Sequence, residues 1–523
     1  MGDRDNLPEL PKGWVWTPLP NLGELNRGKS KHRPRNDPKL FEGKYPFIQT
    51  GDVRNSNGII KSYSQTYNEF GLKQSRLWSE NTLCITIAAN IAETALLGIQ
   101  ACFPDSIVGF SSDERICAVK YVFYFIKTVK DKLESYAPAT AQKNINLETL
   151  RNLFIPLPPI TEQHRIVAKI EELFSELDAG VELLKKLKAK LKRYRQAVLK
   201  AAVEGKLTKD WREAHQGELE PASVLLERIL KERREKWEAQ QLAQMKAKGK
   251  TPKDDSWKLK YKEPVTPDIS DLPELPEGWV WASFGQLVQE SQNGLSKRKG
   301  LHGTPIHVLR LADIVNGKIS ATEPRDILLT DEEIQSYRLQ PNDLVCIRVN
   351  GSEKLVGRVI IFKEKESWAF CDHFIRFRLV SNFLCLSFLS KLFNTDAVRK
   401  YIEHHKVSSA GQNTVSQTTV AAIPIPLPSL EEQNAIDEEI ERRLSVTEEL
   451  EKVVDKNLKR AEKLRQSILK KAFEGKLVPQ DPTDEPADKL LERIKAEKTK
   501  REAEAKTKKK QKQPGKSQQL ELF

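Results

Sequence analysis

Apolar residues recur at alternating steps of four and three along a stretch that occurs twice in this chain of 523 residues. The two copies, residues 160–207 and 430–477, align without a gap, so that Glu162-Gln163 matches Glu432-Gln433. A seven-residue repeat places the apolar side chains on one stripe of a helix and is typical of coiled coils. We therefore predict two long helices that pack against each other.

The apolar stripes are predicted to form the seam between these helices. The seam positions are Ile166, Ile170, Leu173, Leu177, Leu184, Leu187, Leu191, Val198, Ile436, Ile440, Leu450, Val454, Leu464 and Ile468. Gly180 and Asn457 also fall on the stripes and would weaken the packing locally. An asparagine in the seam can fix the register. Alternatively, the second stripe drifts onto Val453 and Leu458 and leaves Asn457 exposed, which is the interpretation we favour.

Helix-breaking residues stand at both ends of each predicted helix. Proline-rich segments, residues 155–159 and 425–428, stand before the two helices. Proline fixes an extended backbone, and Thr161 or Ser429 can then cap the first turn. Gly205 and Gly475 follow near the other end, where glycine suits a helix terminus.

The segments in front of the two helices also begin alike, since residues 7–16 return as residues 272–281. Beyond these openings the segments diverge into short β-branched runs separated by Gly, Asn and Asp, which is typical of strand-rich, curled sheets. One helix is predicted in each segment, over residues 122–136 and 384–404. The predicted fold class is therefore α/β (α+β), with two strand-rich domains separated by the long helices.

The repeat predicts six segments and an approximate two-fold arrangement, in which the long helices run antiparallel. They are a first strand-rich domain (1–159), a first long helix (160–207), a charged helical linker (208–271), a second strand-rich domain (272–429), a second long helix (430–477), and a short helix with a basic disordered tail (478–523). Within the linker we predict a helix over residues 222–247 and a Lys/Pro-rich connection over 249–267. Disorder is predicted from residue 498 onward.

The composition indicates a basic protein and suggests the cellular compartment in which it works. The net charge is +13, and residues 495–516 hold ten Lys/Arg against three Asp/Glu. This balance allows a polyanionic partner. The six cysteines show no metal-binding spacing and are expected to be buried free thiols. Neither a signal core nor a run of 18 apolar residues is present, so we expect a cytoplasmic protein without a membrane segment.

One phosphate-binding pattern is rejected on its context. Residues 23–30 match G-x-x-x-x-G-K-S letter for letter. That chemistry needs a strand before the loop and a helix after it. Here Pro18 and Pro20 precede the pattern, and a segment with Pro34 and Pro38 follows it, which cannot be a helix. No ATP site is predicted.

The same stretch forms a basic loop that could contact a nucleic acid. Its cations are Arg27, Lys29, Lys31, Arg33 and Arg35, and the second copy has Lys297, Arg298 and Lys299 as a counterpart. Such side chains suit contacts with phosphates or guanine. A solvated surface loop explains any single one of these residues equally well.

Further polar clusters lie beside predicted strands and before the proline segments. They are Thr140, Gln142, Lys143 and Asn144 in the first copy, and Ser408, Ser409, Gln412 and Asn413 with Arg348, Asn350, Ser352 and Lys354 in the second. Asn and Gln can bond adenine and Lys can bond guanine or phosphate, although a capped turn is the alternative, especially for Ser and Thr.

His404-His405 has no metal-binding partner. No catalytic motif or metal site is found, so the chain is predicted to recognise a target rather than to catalyse a reaction.

Taken together, these motifs resemble the specificity subunit of type I restriction-modification systems. Each half ends in I-P-L-P-x-[IL]-x-E-Q, a long helix, R-Q-[AS]-[IV]-L-K-x-A and E-G-K-L, and the resemblance covers nearly the whole chain. It implies two target-recognition domains that each read one half of a split, asymmetric site in double-stranded DNA, spaced by the helices. It also implies two methyltransferase subunits that methylate adenine with S-adenosylmethionine, and restriction subunits that use ATP and Mg2+.

The resemblance thus assigns every cofactor to partner subunits and none to this chain. One alternative is the specificity subunit of an adenine methyltransferase that acts without a restriction subunit. Another is a coiled-coil scaffold that does not bind DNA. Divergence confined to the strand-rich domains, with their frames alike, argues against the scaffold.

Overall fold

The structure is a computed structural model that describes residues 7–88, 90–135, 144–315, 317–320, 324–364 and 366–511. Inter-residue contacts divide the chain into two units, Met1–Leu184 with Asp455–Phe523, and Lys185–Val454. Each unit therefore contains one strand-rich domain together with part of both long helices. The predicted fold class, mixed helix and strand domains joined to long helices, is confirmed.

The first unit is built on a five-stranded sheet of order β2-β8-β6-β7-β4, with two further strand pairs, β1-β9 and β3-β5. Its strands are β1 (Val15–Pro18), β2 (Gly23–Arg27), β3 (Phe41–Phe47), β4 (Ile59–Ile60), β5 (Gln65–Tyr67), β6 (Leu83–Thr86), β7 (Thr94–Leu97), β8 (Ile107–Ser112) and β9 (Phe154–Leu157). Its short helices are α1 (Thr50–Asn55), α2 (Glu69–Lys73), α3 (Val119–Thr128), α4 (Lys130–Ser135) and α5 (Leu147–Arg151). Strand β6 is buried throughout, so it forms the centre of the core.

The long helices are α6 (Ile160–Val203) and α14 (Leu430–Phe473). Between them, in chain order, lie the helices α7 (Lys209–Ala214), α8 (Ala222–Ala247), α9 (Phe284–Leu287), α10 (Asp331–Tyr337), α11 (Leu386–Leu392), α12 (Asp396–His405) and α13 (Gln417–Ala421), and α15 (Ala487–Gln511) comes last. The predicted helix over residues 222–247 is confirmed.

The second unit contains a four-stranded sheet, β11-β20-β16-β18, and two three-stranded sheets, β15-β12-β19 and β17-β22-β21, besides the pairs β10-β23 and β13-β14. The strands are β10 (Val280–Ser283), β11 (Val288–Asn293), β12 (Thr304–Leu309), β13 (Ile314–Val315), β14 (Lys318–Ile319), β15 (Arg325–Leu329), β16 (Leu344–Ile347), β17 (Val349–Asn350), β18 (Val359–Ile361), β19 (Trp368–Phe370), β20 (Phe374–Leu379), β21 (Val407–Ser409), β22 (Gln412–Thr414) and β23 (Pro424–Leu427). In the four-stranded sheet, β11, β20, β16 and β18 follow the same order as β2, β8, β6 and β7 of the first unit, where β4 adds a fifth strand at the edge.

The frame around the two domains is also the same in both units. The opening strand pairs antiparallel with the proline-rich strand, Val15 opposite Leu157 in one unit and Val280 opposite Leu427 in the other. A tryptophan of each opening strand, Trp16 in the first, donates its indole N–H to the carbonyl of a preceding proline. The repeated sequence thus builds a repeated strand pair.

The Glu-Gln pair at the start of each long helix ties the helix to its domain. Glu162 accepts the indole N–H of Trp14 at 3.0 Å, and Glu432 accepts that of Trp279 at 2.8 Å. Gln163, which is fully buried, accepts the N–H of residue 118 and donates to two carbonyl oxygens. The equivalent glutamine of the second unit accepts the N–H of residue 385. Two polar side chains therefore fix where each helix begins.

Each long helix is followed, two residues after its end, by a glycine that packs against an opening segment within the same unit. Gly205 has φ +63°, and a Cβ there would lie 2.5 Å from Cγ of Pro276. Gly475 has φ +69°, and its Cβ would lie 2.4 Å from Cγ of Pro11. Both the left-handed backbone and the close approach require glycine. The helices consequently end at residues 203 and 473, before the predicted bounds of 207 and 477.

A helix after each long helix occupies the same position in the two units. The N–H of Ala222 at the start of α8 donates to Gly278, and the N–H of Ala487 at the start of α15 donates to Gly13, both at 2.9 Å. Helix α15 continues to residue 511. The prediction of a disordered tail from residue 498 is therefore wrong as far as 511, and residues 512–523 lie outside the described part.

The long helices run antiparallel within each unit. In the second unit Arg195 pairs with Glu451 at 3.1 Å, while Arg212, beyond the end of α6, pairs with Glu432 at 2.8 Å. In the first unit Arg465 pairs with Asp178. Arg195 and Arg465 are the arginines of the repeated R-Q motif, so the motif supplies an ion pair between the helices in both units.

The seam is only partly the one predicted. Ile166, Ile170, Leu191, Val198, Ile436, Ile440, Val454 and Ile468 are buried, and Leu173, Leu177 and Leu184 are half-buried. Leu187, Leu450 and Leu464 are 39%, 43% and 48% exposed, so their assignment to the seam is wrong.

In α14, Thr447, Val454, Ala461 and Ile468 are buried at a strict spacing of seven. The positions four residues after Thr447 and Ala461 are the half-buried Glu451 and Arg465, whose partners lie on the opposite helix. These ion-paired side chains take the place that Leu450 and Leu464 were predicted to fill. Val453 is 53% exposed, so the predicted drift of the stripe is also wrong.

Two predicted helices are broken, and one predicted connection is folded. The helix over 122–136 is replaced by α3 and α4, which meet at the non-helical Val129. The helix over 384–404 is replaced by α11 and α12, because Thr395 caps a new helix by accepting the N–H of Val398. Within the predicted connection over 249–267, Asp255–Lys260 forms a 3-10 helix with Trp257 buried.

The cysteines are free and mostly buried, as predicted. Burial raises the pKa of Cys102 to about 11 and that of Cys346 to about 12, so both thiols are protonated at neutral pH. Among the described residues, none of the helices combines the length and apolar character needed to cross a membrane.

The two equivalent glutamates provide a matched test of the frame. In Glu432→Gln an amide group replaces one of two carboxylate oxygens that accept from Trp279, Thr208 and Arg212. A buried donor loses its acceptor, and we expect the free energy of unfolding to fall by about 1–3 kcal/mol. Scanning calorimetry should show the loss as a lower Tm.

Glu162→Gln is the control, because one carboxylate oxygen of Glu162 has no hydrogen-bond partner among the described residues. Burial raises the pKa of Glu162, so a neutral amide is tolerated better there than at position 432. We expect a change of less than about 1 kcal/mol. Equal losses in the two variants would contradict the contacts described.

Candidate nucleic-acid interface

The first five residues of the phosphate-loop pattern form a strand. Residues 23–27 form β2 and pair with β8, and the N–H of Gly28 donates to the carbonyl of Ile107 at 2.8 Å. A Cβ at Gly28 would lie 2.3 Å from the carbonyl oxygen of Pro104. Because these N–H groups are bonded within the sheet or against it, they cannot surround a phosphate. The geometry supports the rejection of an ATP site.

The three arginines of the first basic loop hold the loop in place. Arg27 donates to the backbone carbonyl of Asp105 at 2.9 Å, and Arg35 binds the carboxylate of the same residue at 2.7 Å. Arg33 donates to the carbonyls of Ser30 and His32. Sequence reasoning missed Asp105, which precedes a different strand, β8. The guanidinium groups remain exposed, so anchoring does not prevent a further contact.

The two lysines of this loop are presented without a protein partner. Lys29 and Lys31 are exposed, and their ammonium groups make no ion pair with any described residue. The Ser75 hydroxyl donates to the backbone carbonyl of Lys29 and thereby fixes the backbone of the loop at this lysine. Phe70, which the sequence reasoning also missed, is exposed and packs edge-on against the ring of His32 at 5.5 Å. Two free cations thus lie on one exposed loop, and an aromatic ring of α2 packs beside them.

The second basic loop repeats this division between anchored and free cations. Lys297 binds the carboxylate of Glu333 at 2.9 Å, and Arg298 binds that of Asp372 at 2.9 Å. Lys299 is exposed and has no ion pair within the described part of the chain. One cation in this loop therefore remains available for an anionic ligand.

The structure brings together the two polar clusters predicted in the second domain. Strand β22 lies between β17 and β21, so that Asn350 stands opposite Asn413, which stands opposite Ser408. Arg348 donates to the backbone carbonyl of Asp372 at 3.2 Å, and the carboxylate of that residue binds Arg298. Three segments distant in sequence therefore form one continuous polar surface.

Members of this surface differ in their freedom to contact a ligand. The amide of Asn413 is buried, donates to the carbonyls of residues 350 and 351, and accepts from the Ser408 hydroxyl. Asn413 therefore supports the sheet. Ser352, Lys354, Ser409 and Gln412 are exposed, and Asn350 is half-buried.

The corresponding cluster of the first domain is seen only in part. Thr140, Gln142 and Lys143 lie outside the described residues. Asn144 is exposed and forms an isolated antiparallel bridge with Ala88, next to the hydrogen bond from the N–H of Ile145 to the carbonyl of Ile87. This bridge matches the pairing of β22 with β17, so the first domain repeats the position of this predicted cluster.

One group in the second domain has the composition of a metal site. Cys371, Asp372 and His373 place one ligand atom each within 4.8 Å of one another. The carboxylate already binds Arg298, and burial raises the pKa of the Cys371 thiol. A protonated thiol and a neutralised carboxylate are poor ligands. This arrangement fits an ion pair that positions the basic loop.

Comparison with known proteins identifies the family. A family model described as "Type I restriction modification DNA specificity domain" matches residues 11–193 and 313–460. The type I restriction enzyme StySPI specificity subunit of Salmonella potsdam is 30% identical over 512 residues, which cover 94% of this chain and 97% of that protein. The EcoKI specificity subunit of Escherichia coli strain K12 is 24% identical over 510 residues, covering 94% and 96%.

The fold also resembles a solved structure from work on complex assembly and conformational transition of the type I R-M system. The TM-score is 0.62 at 17% sequence identity, and the match covers 90% of this chain and 100% of that chain. At this identity the likeness supports the fold alone.

The unpaired lysines of the first loop give a direct test of the interface. We expect Lys29→Ala to weaken binding of duplex DNA by at most roughly a hundredfold, the upper range for one contact to a base. Fluorescence anisotropy with a labelled duplex measures this change. The matched control is Lys44→Ala, because that exposed lysine already pairs with Glu69 at 3.2 Å. ATP binding by the chain that disappears in Lys29→Ala would contradict the assignment.

Proposed function

Because the chain belongs to the family of type I restriction-modification DNA specificity subunits, we propose that its two strand-rich domains each read one half of a split, asymmetric DNA site. The observation that carries this proposal is one frame built twice around two different domains. The strand pair, the Trp–Glu contact and the glycine contact recur in both units, whereas the domain sequences between them diverge and only the first sheet has the additional strand β4. A constant frame with variable domains suits two independent readings of DNA.

In this proposal the surfaces that contact DNA are the basic loop of the first domain and the polar surface of the second. The exposed lysines suit phosphate contacts, which position a protein on the duplex without reading sequence. The exposed amide of Gln412 suits bonding to adenine. Arginines anchored by Asp105 and Asp372 have a fixed orientation, which favours a specific contact over a mobile one.

We also propose that the long helices dock the methyltransferase subunits. Apolar side chains on these helices are exposed where a solitary helix pair would carry polar ones. They are Leu187, Tyr194, Val446, Leu450 and Val453 in the second unit, and Leu183 and Leu464 in the first. Exposed apolar groups at such density commonly mark protein interfaces. The three leucines that left the predicted seam belong to this set.

The proposal assigns the chemistry to partners. Methyltransferase subunits would bring S-adenosylmethionine and methylate adenine, and restriction subunits would use ATP and Mg2+. The proposed contribution of this chain is to select the DNA sequence and, through its helices, to set the spacer between the half-sites.

Sequencing of methylated bases in DNA from cells that express the chain with its methyltransferase tests this function. We expect a split motif with a spacer of fixed length. The test variant has one heptad inserted in each long helix, as duplications of residues 181–187 and 451–457. The seam keeps its register because the period is seven.

The insertion should abolish methylation at every site. Seven residues add about 10.5 Å to a helix, which corresponds to about three base pairs and turns the next groove by about 100°. The helix surface turns by only about 20° over a heptad, so no spacer satisfies both distance and phase. Assembly with the methyltransferase, followed by gel filtration, is the control. An unchanged motif would show that the helices do not set the spacer.

A further inference from the structure

A folded basic element lies where the sequence predicted a plain connection. We call it the lysine hairpin, residues 237–262. Helix α8 ends at residue 247, and Gly249 turns the chain with φ +67°. The 3-10 helix that follows returns Trp257 to Trp237, with ring centroids 6.0 Å apart, and Tyr261 packs edge-on against the same ring at 5.2 Å. Aromatic packing therefore holds the hairpin closed.

The hairpin is fastened to the second domain through α8. Leu225 and Ile229 of α8 are buried in the core of that unit. Arg233 donates through Nε to the carbonyl of Val288 at 2.8 Å, and through Nη1 to the hydroxyl of Tyr261. Since Val288 begins β11, the base of the hairpin is fixed to the strand that leads into the second basic loop.

The surface of the hairpin carries a concentration of unpaired positive charge. Lys246, Lys248, Lys250, Lys253, Lys260 and Lys262 are exposed, and none forms an ion pair with a described residue. The two nearby aspartates are engaged, since Asp254 accepts from Ser256 and Asp255 lies 3.2 Å from Lys258. Like charges held together on a folded element repel one another, so a polyanion is the partner that this surface fits.

The first unit repeats this charge at the equivalent place. Helix α15 begins with the same hydrogen bond as α8, is buried at Leu490 and Ile494, and then continues through a lysine-rich sequence to residue 511. The two helices share Leu-Leu-Glu-Arg-Ile and differ afterwards, yet both become basic. Positive charge at the same position of both copies points to a task common to the two units.

We propose that the lysine hairpin binds the phosphate backbone of duplex DNA beside the half-site read by the second domain. This inference rests on the proposed function, because the reading domains must first hold the duplex. Strand β11 covers about 17 Å between Val288 and Asn293 at 3.4 Å per residue. That length corresponds to about five base pairs. The base of the hairpin is therefore set apart from the basic loop by at least the length of β11, so we place its phosphate contacts outside the bases that the loop would contact.

Phosphate contacts leave a signature in salt dependence. Each phosphate neutralised by a lysine contributes about 0.9 to the slope of log affinity against log salt concentration, whatever the base sequence. The lysine hairpin is therefore expected to add affinity equally to site-containing and site-free duplexes. It should leave the sequence of both half-sites unchanged.

The test compares two triple variants in the complex with the methyltransferase. The test variant carries Lys246→Gln, Lys248→Gln and Lys250→Gln. The control carries Lys200→Gln, Lys209→Gln and Lys236→Gln, whose ammonium groups already lie near Glu204, Glu213 and Glu232. Both remove three charges from exposed or half-buried lysines. Fluorescence anisotropy at several salt concentrations gives the affinity and the slope for each duplex.

We expect the slope to fall by about 2–3 for the test variant and by less than 1 for the control. Hydroxyl-radical footprinting should show lost protection on one side of the second half-site alone. Equal slopes for the two variants would overturn the proposal, and so would loss of methyltransferase binding by the test variant, which would indicate an acidic protein partner. If the unmodified complex bound site-containing and site-free duplexes equally, the proposed function itself would fail.

Discussion

The whole arrangement depends on a glutamate carboxylate that is buried in the first turn of each long helix. A carboxylate is favourable there because the N–H groups of a helix N-terminus carry partial positive charge. In each unit it accepts the indole N–H of the repeated tryptophan, so the residue that leads into the opening strand is tied to the helix that follows the proline-rich strand. The adjacent glutamine extends this contact into the domain. Losing this acceptor would leave a buried indole N–H without a partner and would weaken the junction between the helix and its domain.

The two copies satisfy this contact differently. Glu432 also accepts from Thr208 and Arg212, whereas one oxygen of Glu162 has no hydrogen-bond partner among the described residues. In the first unit an arginine one turn further along α6, Arg165, instead binds Asp484 at 2.6 Å. The Trp–Glu contact is thus preserved, whereas the further partners of the glutamate and the ion pairs beside it differ between the two units. A constant contact with local variation beside it allows the two units to hold domains of different sequence.

The frame could be predicted from sequence because its signals are local. Proline before a helix, Glu-Gln in its first turn and glycine after it act within a few residues, and the predicted helices follow them closely. The seam could not be predicted as well, because Glu451 and Arg465 enter it only through partners on the opposite helix. The lysine hairpin was mistaken for a connection since Trp237 and Trp257 meet only after the chain reverses.

The candidate interface, too, could be predicted from sequence only where its signals are local. The basic loops and polar clusters were found by residue type, but Asp105 and Asp372, which orient their arginines, belong to other segments and gave no signal. Sheet pairing of β22 with β17 and β21 united clusters that are distant in sequence. In the proposed complex, DNA shape and bridging water as well as residue type would decide which of these side chains contacts a base.

Exchange of one domain inside its frame tests the central claim, one frame with two independent readers, most directly. Residues 23–152, between β1 and β9, would be replaced by the corresponding segment of a relative with a different site, which keeps Trp14, Glu162 and Gly475. Sequencing of methylated bases then reads both half-sites at once. We predict that one half-site changes while the other half-site and the spacer stay the same. A simultaneous change of both half-sites would contradict the account.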